Sequence, residues 1–152
     1  MRILAIDPGT HCGWAIWQDG RIIASGTWDL SSRRHEGGGM RLLRFERHLN
    51  ETLRDVNLIA YEEVRRHLGT DAAHIYGALT GEIQKKGEVC GIPYYAIPVG
   101  TIKKFATGKG NADKAKMVAA GEKLWGEALP EDETDARFIA LVAAVEYGER
   151  AA

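Results

Sequence analysis

Four apolar residues, Ile3-Leu4-Ala5-Ile6, run directly into Asp7 and then Pro8-Gly9-Thr10. An unbroken apolar run of this length, closed by a proline-glycine turn, reads as a strand buried on both faces, and such strands belong to sheets covered by helices. Asp7 therefore ends a buried strand with a charge. Leaving a carboxylate unpaired there costs several kcal/mol unless donors or a cation neutralise it. An acid recurs at the end of Leu58-Ile59-Ala60-Tyr61-Glu62, and Asp132 and Asp135 lie three apart at the start of a helical pattern. One cation site would answer all three segments.

The remaining pattern specifies what surrounds those ends. Trp14–Trp17 and Arg21–Thr27 read as two further strands joined by Gln18-Asp19-Gly20, in which Asp-Gly is a strong hairpin signal. Gly9 and Gly13 bracket a turn before them, and Ser31–Gly39, with its glycine triplet, reads as a mobile loop. From Met40, the spacing of Leu42, Phe45, Leu49, Leu53 and Val56 predicts an amphipathic helix, followed by a strand over Leu58–Val64. A helix over Asp71–Lys86 carries the stripe Ile75, Tyr76, Leu79 and Ile83 beside the small residues Ala72, Gly77, Ala78 and Gly81. Pro93–Ile97 is a short strand and Thr101–Ala106 a short helix. Gly108-Lys109-Gly110 is a flexible link to a helix over Ala112–Trp125. The last helix, Glu133–Tyr147, turns Ala136, Ile139, Ala140, Ala143 and Ala144 inward. The order predicts one α/β domain over residues 1–152, with a mixed central sheet and helices on both faces.

At 152 residues the chain suits a single domain able to bury about 70% of its unfolded surface. No run of about 18 apolar residues is present, and Met1-Arg2-Ile3 leads straight into a strand, so the expectation is a soluble, cytoplasmic protein without membrane association. Cys12 and Cys90 lack metal-ligand spacing and read as small packing residues. A net charge of -1 argues against coating nucleic acid by bulk positive charge. Locally the balance differs. Between Pro98 and Lys123, Lys103, Lys104, Lys109, Lys114, Lys116 and Lys123 against Asp113 and Glu122 leave +4. Arg33, Arg34, Arg41, Arg44 and Arg47 form a second basic set. Either set reads equally well as a solvated face.

Were the strands ending at Asp7 and Glu62 neighbours, roughly 4.8 Å would separate them and both carboxylates could reach one ion. Asp132 and Asp135 would present one helix face to the same place. Four carboxylates without cations repel one another, whereas two Mg²⁺ supply compensating charge, and oxygen-only ligands favour Mg²⁺ or Mn²⁺ over zinc. Such a site performs phosphodiester hydrolysis. One ion activates water and the other stabilises the leaving 3′ oxygen, at a separation of ~3.5–4 Å. Each acid also has a plain structural reading: Asp7 as a turn cap, Glu62 and Glu63 as strand-end flanks, and Asp132, Glu133 and Asp135 as complements to a helix dipole. The residues alone leave both accounts open.

Three segments together resemble the RuvC family of Holliday junction resolvases, over nearly the whole chain. Ile6-Asp7-Pro8-Gly9-Thr10 with Gly13 is similar to that family's opening Ile-Asp-Pro-Gly-Ser/Thr. Ala60-Tyr61-Glu62-Glu63-Val64 is similar to its Ala-Ile-Glu-Gln-Val strand, and Asp132-Glu133-Thr134-Asp135-Ala136 to its Asp-x-x-Asp-Ala helix start. The resemblance implies an RNase H-like fold with Asp7, Glu62, Asp132 and Asp135 as catalytic acids and metal ligands, Glu63 being a noncatalytic neighbour. It implies two Mg²⁺ per site, with Mn²⁺ able to substitute, and paired nicks in four-way-junction DNA that leave 5′-phosphate and 3′-hydroxyl ends.

Ile102-Lys103 and Asn111-Ala112-Asp113-Lys114 resemble the family's Val-Lys and Ala-Glu-Lys segments at equal separation. They imply phosphate contacts by Lys103 and Lys114, with Lys104 and Lys109 beside them. Where the bacterial pattern has an aromatic residue three positions after the strand glutamate, this chain has Arg65. With Arg66 and His67 it favours phosphate binding or stacking of a guanidinium on a base. That divergence and the short chain look more like the family's phage-encoded branch. The resemblance also implies a homodimer, and the small residues of the Asp71–Lys86 helix offer a place for its interface. The small residues there suit equally well packing against the chain's own sheet.

Three other readings share features of this chain. Actin-like ATPases have a similar Asp-x-Gly-Thr strand turn, but they close two such domains around ATP, and 152 residues supply one without a second phosphate loop. No nucleotide cofactor is expected. The others are a nuclease acting more broadly on forks and flaps and a non-catalytic nucleic-acid-binding module. The intact acidic set disfavours the module.

Overall fold

The computed structural model describes residues 1–67 and 69–148, so residues 68 and 149–152 of the expected 1–152 domain lie outside the described residues. Strands β1 (Arg2–Asp7), β2 (His11–Gln18), β3 (Arg21–Asp29), β4 (Leu58–Glu63) and β5 (Tyr94–Pro98) form one sheet in the order β3-β2-β1-β4-β5. The first three are antiparallel neighbours; β4 and β5 join in parallel, giving the mixed sheet expected. Helices α1 (Gly39–Thr52) and α2 (Thr70–Cys90) interrupt the strands, and α3 (Val99–Thr107), α4 (Lys114–Trp125) and α5 (Glu131–Tyr147) follow β5.

Alternation along β1 divides the core in two. Ile3 and Ala5, with Ala15, Leu58 and Ala60, face Ala136, Ile139, Ala140 and Ala143 of α5. Leu4 and Ile6, with Ile16 and Ile59, face Phe45 and Leu49 of α1 and Leu79 and Ile83 of α2. Helices thus cover both faces, as the double-sided burial of Ile3–Ile6 requires. Helix α5 is buried beyond its expected stripe, at Thr134, Phe138 and Val142 as well, because α3 and α4 cover its other side.

Local chemistry sets the boundaries. Asp19 and Gly20 both have positive φ, 47° and 95°, the geometry a two-residue hairpin loop between β2 and β3 demands. Asp113 caps α4 by accepting from the Lys116 amide at 2.9 Å, so that helix starts two residues later than the periodicity predicts. Helix α1 ends at Thr52; Leu53 and Val56 are buried in the turn that follows it. Helix α2 runs one turn past Lys86 to a left-handed Gly91.

Several sequence expectations are corrected. The segment 31–39 is tied down: Arg44 pairs with Glu36 at 2.8 Å and donates to the Ser31 carbonyl, and Arg41 donates to the Leu30 carbonyl at 2.6 Å. Those two arginines of the second basic set are spent inside the protein. Cys12 is buried, but Cys90 is exposed at the end of α2, outside the core. On α2, Ala72, Gly77, Ala78 and Gly81 are exposed, so they do not pack on the chain's own sheet.

Gly13 is not in a turn. It pairs with Asp7 and Thr27 inside β2, and a Cβ there would collide with the backbone carbonyl of Asp132. Glycine at this position lets the first turn of α5 rest on the sheet beside Asp7. Gly13→Ala is expected to push α5 outward at a cost of about 1–3 kcal/mol. Thermal unfolding followed by circular dichroism checks it; an unchanged Tm would show that α5 does not depend on this contact.

Candidate active site

The parallel register pairs Ile6 with Tyr61, so Asp7 and Glu62 are the next residues on adjacent strands. Both fall on the α5 side, in step with Ala5 and Ala60. Two turns contribute from the opposite wall, where the α5 start brings Asp132 and Asp135. All four acids line one pocket of about 460 Å³, together with Lys103, Lys114 and Glu131 over a floor of Val64, Val99, Ile102 and Met117.

The electrostatics are those of crowded acids. Removal from water, then repulsion by Glu62, Asp135 and Asp132, holds the Asp7 carboxyl well above the ordinary range, and Asp7 shares a hydrogen bond with Glu62. Burial also raises Glu62, while the Asp7 hydrogen bond and Lys103 oppose the rise. Asp135 is pushed up to about 7, by burial first and then by Glu62, Glu131 and Asp132. Asp132, nearer solvent, is raised by burial and by Glu131, with His11 and Lys114 working against it. The neighbouring Cys12 thiol is raised by burial and by Asp7, which keeps it a thiol.

One buried oxygen, Oδ1 of Asp135, has no hydrogen-bond partner among the described residues. Among the described residues, no three His, Cys, Asp or Glu side chains are already drawn together as a ligand set for one ion. The acids are gathered in one pocket, where burial, joined by repulsion at Asp7, Asp132 and Asp135, raises the affinity of each for its proton. An oxygen-only donor set with an orphaned buried carboxylate oxygen suits a hard divalent ion.

The predicted cations divide. Lys103 lines the acid pocket. Lys114 does too, 84% exposed and paired with Glu131 at 3.0 Å. Lys104 and Lys109 are exposed but do not line the pocket. Arg65 and Arg66 line a neighbouring groove of about 430 Å³ with Glu63, Val64, Pro98, Val99 and Gly100. Val64 and Val99 border both hollows, so the groove leads into the acids. Arg65 is paired with Glu63 at 3.1 Å. Glu131 was missed by sequence reasoning, although the run Glu131-Asp132-Glu133 at a helix start was a visible signal.

No family profile matches the chain. The crossover junction endodeoxyribonuclease RuvC of Corynebacterium efficiens is 29% identical over 154 residues, covering 93% of this chain and 67% of the relative. Thermus thermophilus RuvC, solved in complex with Holliday junction substrate, superposes with a TM-score of 0.80 at 26% identity, over 95% of this chain and 93% of that one. The chain is a homologue of the RuvC resolvases. The yeast mitochondrial Holliday junction resolvase, at 15% identity and a TM-score of 0.60 over 91% of this chain and 75% of that one, shares the fold. The mixed five-stranded sheet with its helices is the RuvC RNase H-like fold. Among the described residues, no helix is long and apolar enough to cross a membrane.

Burial and repulsion have a measurable consequence in this RuvC homologue without divalent cations. The folded state holds the Asp135 proton up to about 7, whereas the unfolded chain releases it near 3.8. Between those values the folded protein binds more protons, so stability falls as pH rises. In EDTA, Tm is expected to decline from pH 4 to pH 7, and Asp135→Asn is expected to flatten that decline and melt higher at neutral pH. A lower Tm for Asp135→Asn at pH 7 would make Asp135 a structural support instead of a strained acid.

Proposed function

We propose that this chain is a Holliday junction resolvase that nicks four-way-junction DNA by divalent-metal-dependent phosphodiester hydrolysis. The observation carrying the reading is the meeting of Asp7 and Glu62, side by side on parallel strands, with Asp132 and Asp135 across one pocket that Lys103 and Lys114 also line. Asp7, Glu62, Asp132 and Asp135 would hold the ions, two Mg²⁺ in the proposal, with Mn²⁺ as a substitute. When bound, such ions supply Lewis acidity that generates hydroxide from water and stabilises the leaving 3′ oxygen.

The chain's own residues would do the rest. Lys103, facing Glu62 and Asp135, offsets their charge and is placed to meet a phosphate entering the pocket. Lys114 can leave its exposed pair with Glu131 at little energetic cost, since such pairs contribute about 0–1 kcal/mol, and turn to the backbone of the DNA. Arg65 and Arg66 extend the path along the adjoining groove, where a strand could lie with its phosphates on the guanidiniums. A flexible, charged Arg65 in place of an aromatic wedge makes broader action on forks and flaps the second reading. Cleavage of a labelled synthetic four-way junction in Mg²⁺, set beside linear duplex, flap and fork, tests the first reading against the second.

Asp7→Asn is expected to abolish cutting while junction binding stays within a few fold. Cutting that survives the substitution removes Asp7 from the chemistry. Lys103→Ala is expected to weaken binding and reduce the slope of log affinity against log salt by about 1. An unaltered slope counts against a phosphate contact.

Paired nicks call for two sites, and we place the homodimer contact on α2. Its exposed Ala72, Gly77, Ala78 and Gly81 permit close helix approach, and a Cβ at Gly77 or Gly81 would meet nothing within 4 Å among the described residues. Gly81→Lys is therefore expected to convert a sedimenting dimer to a monomer without lowering Tm. A variant that stays dimeric moves the contact elsewhere.

A further inference from the structure

A second polar cluster lies on the flank of α5 turned away from the acid pocket. Ser25, on edge strand β3, donates from Oγ to Glu133 Oε1 at 2.6 Å and accepts from Arg137 Nε at 2.8 Å. Arg137 also reaches Glu133 at 3.4 Å and Glu127, in the connection before α5, at 3.4 Å. Its guanidinium lies 5.3 Å from the centre of the Trp125 ring. The Glu133 and Arg137 side chains are only 13% and 14% exposed, so this is an enclosed network and not a surface pair.

Around a helix of about 3.6 residues per turn, the Glu133–Arg137 flank is roughly 150° from the Asp132–Asp135 flank. Whatever fixes one flank fixes the direction of the other. Gly13 sets how closely the first turn approaches β2, and the buried Ala136, Ile139, Ala140 and Ala143 hold the later turns against the sheet. The Ser25 hydroxyl, held between a carboxylate and a guanidinium on successive turns, opposes roll of the first turns about the helix axis. A roll of one residue, about 100°, would present Glu133 or Thr134 to the pocket. The network also pairs the Glu133 charge with Arg137, so that this acid, next to Asp132 in sequence, does not add to the repulsion in the site.

We propose that Ser25, Glu133 and Arg137 are positioning residues for the nuclease reaction, locking the roll of α5 so that Asp132 and Asp135 meet Asp7 and Glu62 in one ion-binding set. The inference rests on the nuclease reading above. It assigns a role to residues that lie outside the lining of the acid pocket.

The test compares the parent protein with Ser25→Ala, Arg137→Met and Arg137→Lys. Four quantities are measured: Mn²⁺ affinity by calorimetry, single-turnover cleavage at saturating junction, junction Kd in EDTA, and Tm. Ser25→Ala removes one oxygen and keeps the fold; its Mn²⁺ affinity and cleavage rate are each expected to fall about tenfold, with junction Kd within about twofold of the parent. Arg137→Met is expected to lose more, and Arg137→Lys, which restores charge, to recover part of the loss. If Arg137→Met does not fold, Ser25→Ala decides alone. Lower melting with the parent's Mn²⁺ affinity and cleavage rate would make the cluster a fastener only and overturn the proposal. A parent that neither binds Mn²⁺ nor cuts would instead overturn the nuclease reading, and this inference with it.

Discussion

Parallel pairing of β1 with β4 is the constraint from which the site follows. The register that joins Ile6 to Tyr61 leaves Asp7 and Glu62 as adjacent strand ends, and the pleat sends both toward α5. Antiparallel pairing would have put them at opposite ends of the sheet. The parallel arrangement requires a crossover between the strands, which β2, β3 and α1 supply. The same pleat that points two acids at α5 points Leu4, Ile6 and Ile59 at α1 and α2. Packing on one face and charge on the other are thus set by one register.

Concentrating acids at that point works against the fold and toward binding a cation. Burial raises all four, and repulsion adds to it at Asp7, Asp132 and Asp135, so each gives up its proton less readily than in water. Lys103 and Lys114, on α3 and α4, line the same pocket and relieve part of this. The surrounding core has to absorb the remainder. It does so with residues of little conformational ambiguity: the alanines of α5 let that helix lie close on Ala5, Ala15 and Ala60, and Gly13 removes the last obstacle.

Much of this was legible in the sequence, and the legible parts have local causes. A continuous apolar run ending in Asp7, the Asp-Gly hairpin and the stripe Leu42, Phe45 and Leu49 each report a short-range rule, and each element formed with its ends moved by a few residues. What escaped depends on contacts distant along the chain. Gly13 looked like a turn glycine because its reason, the Asp132 carbonyl, lies more than a hundred residues away. Arg41 and Arg44 counted as basic surface until the carbonyls of Leu30 and Ser31 and the Glu36 carboxylate were in place around them. Lys103 and Lys104 are indistinguishable by composition, yet the helix turns only Lys103 into the pocket. Glu133 and Arg137 are spaced for a helical ion pair, but nothing local announces Ser25 as their shared partner.

The division of the acids along the chain has its own consequence. Asp7 and Glu62 depend on a sheet whose near face is covered by α5 and whose far face is covered by α1 and α2. Asp132 and Asp135 sit on that same α5, whose other side is covered by α3 and α4. No subset of the chain that lacks either face can gather all four carboxylates, because the strands that carry two of them and the helix that carries the others are buried against each other. The acid set therefore depends on both faces of the sheet being packed. A partly folded chain exposes scattered acids, each free to stay ionised in water and none positioned to act on a phosphate.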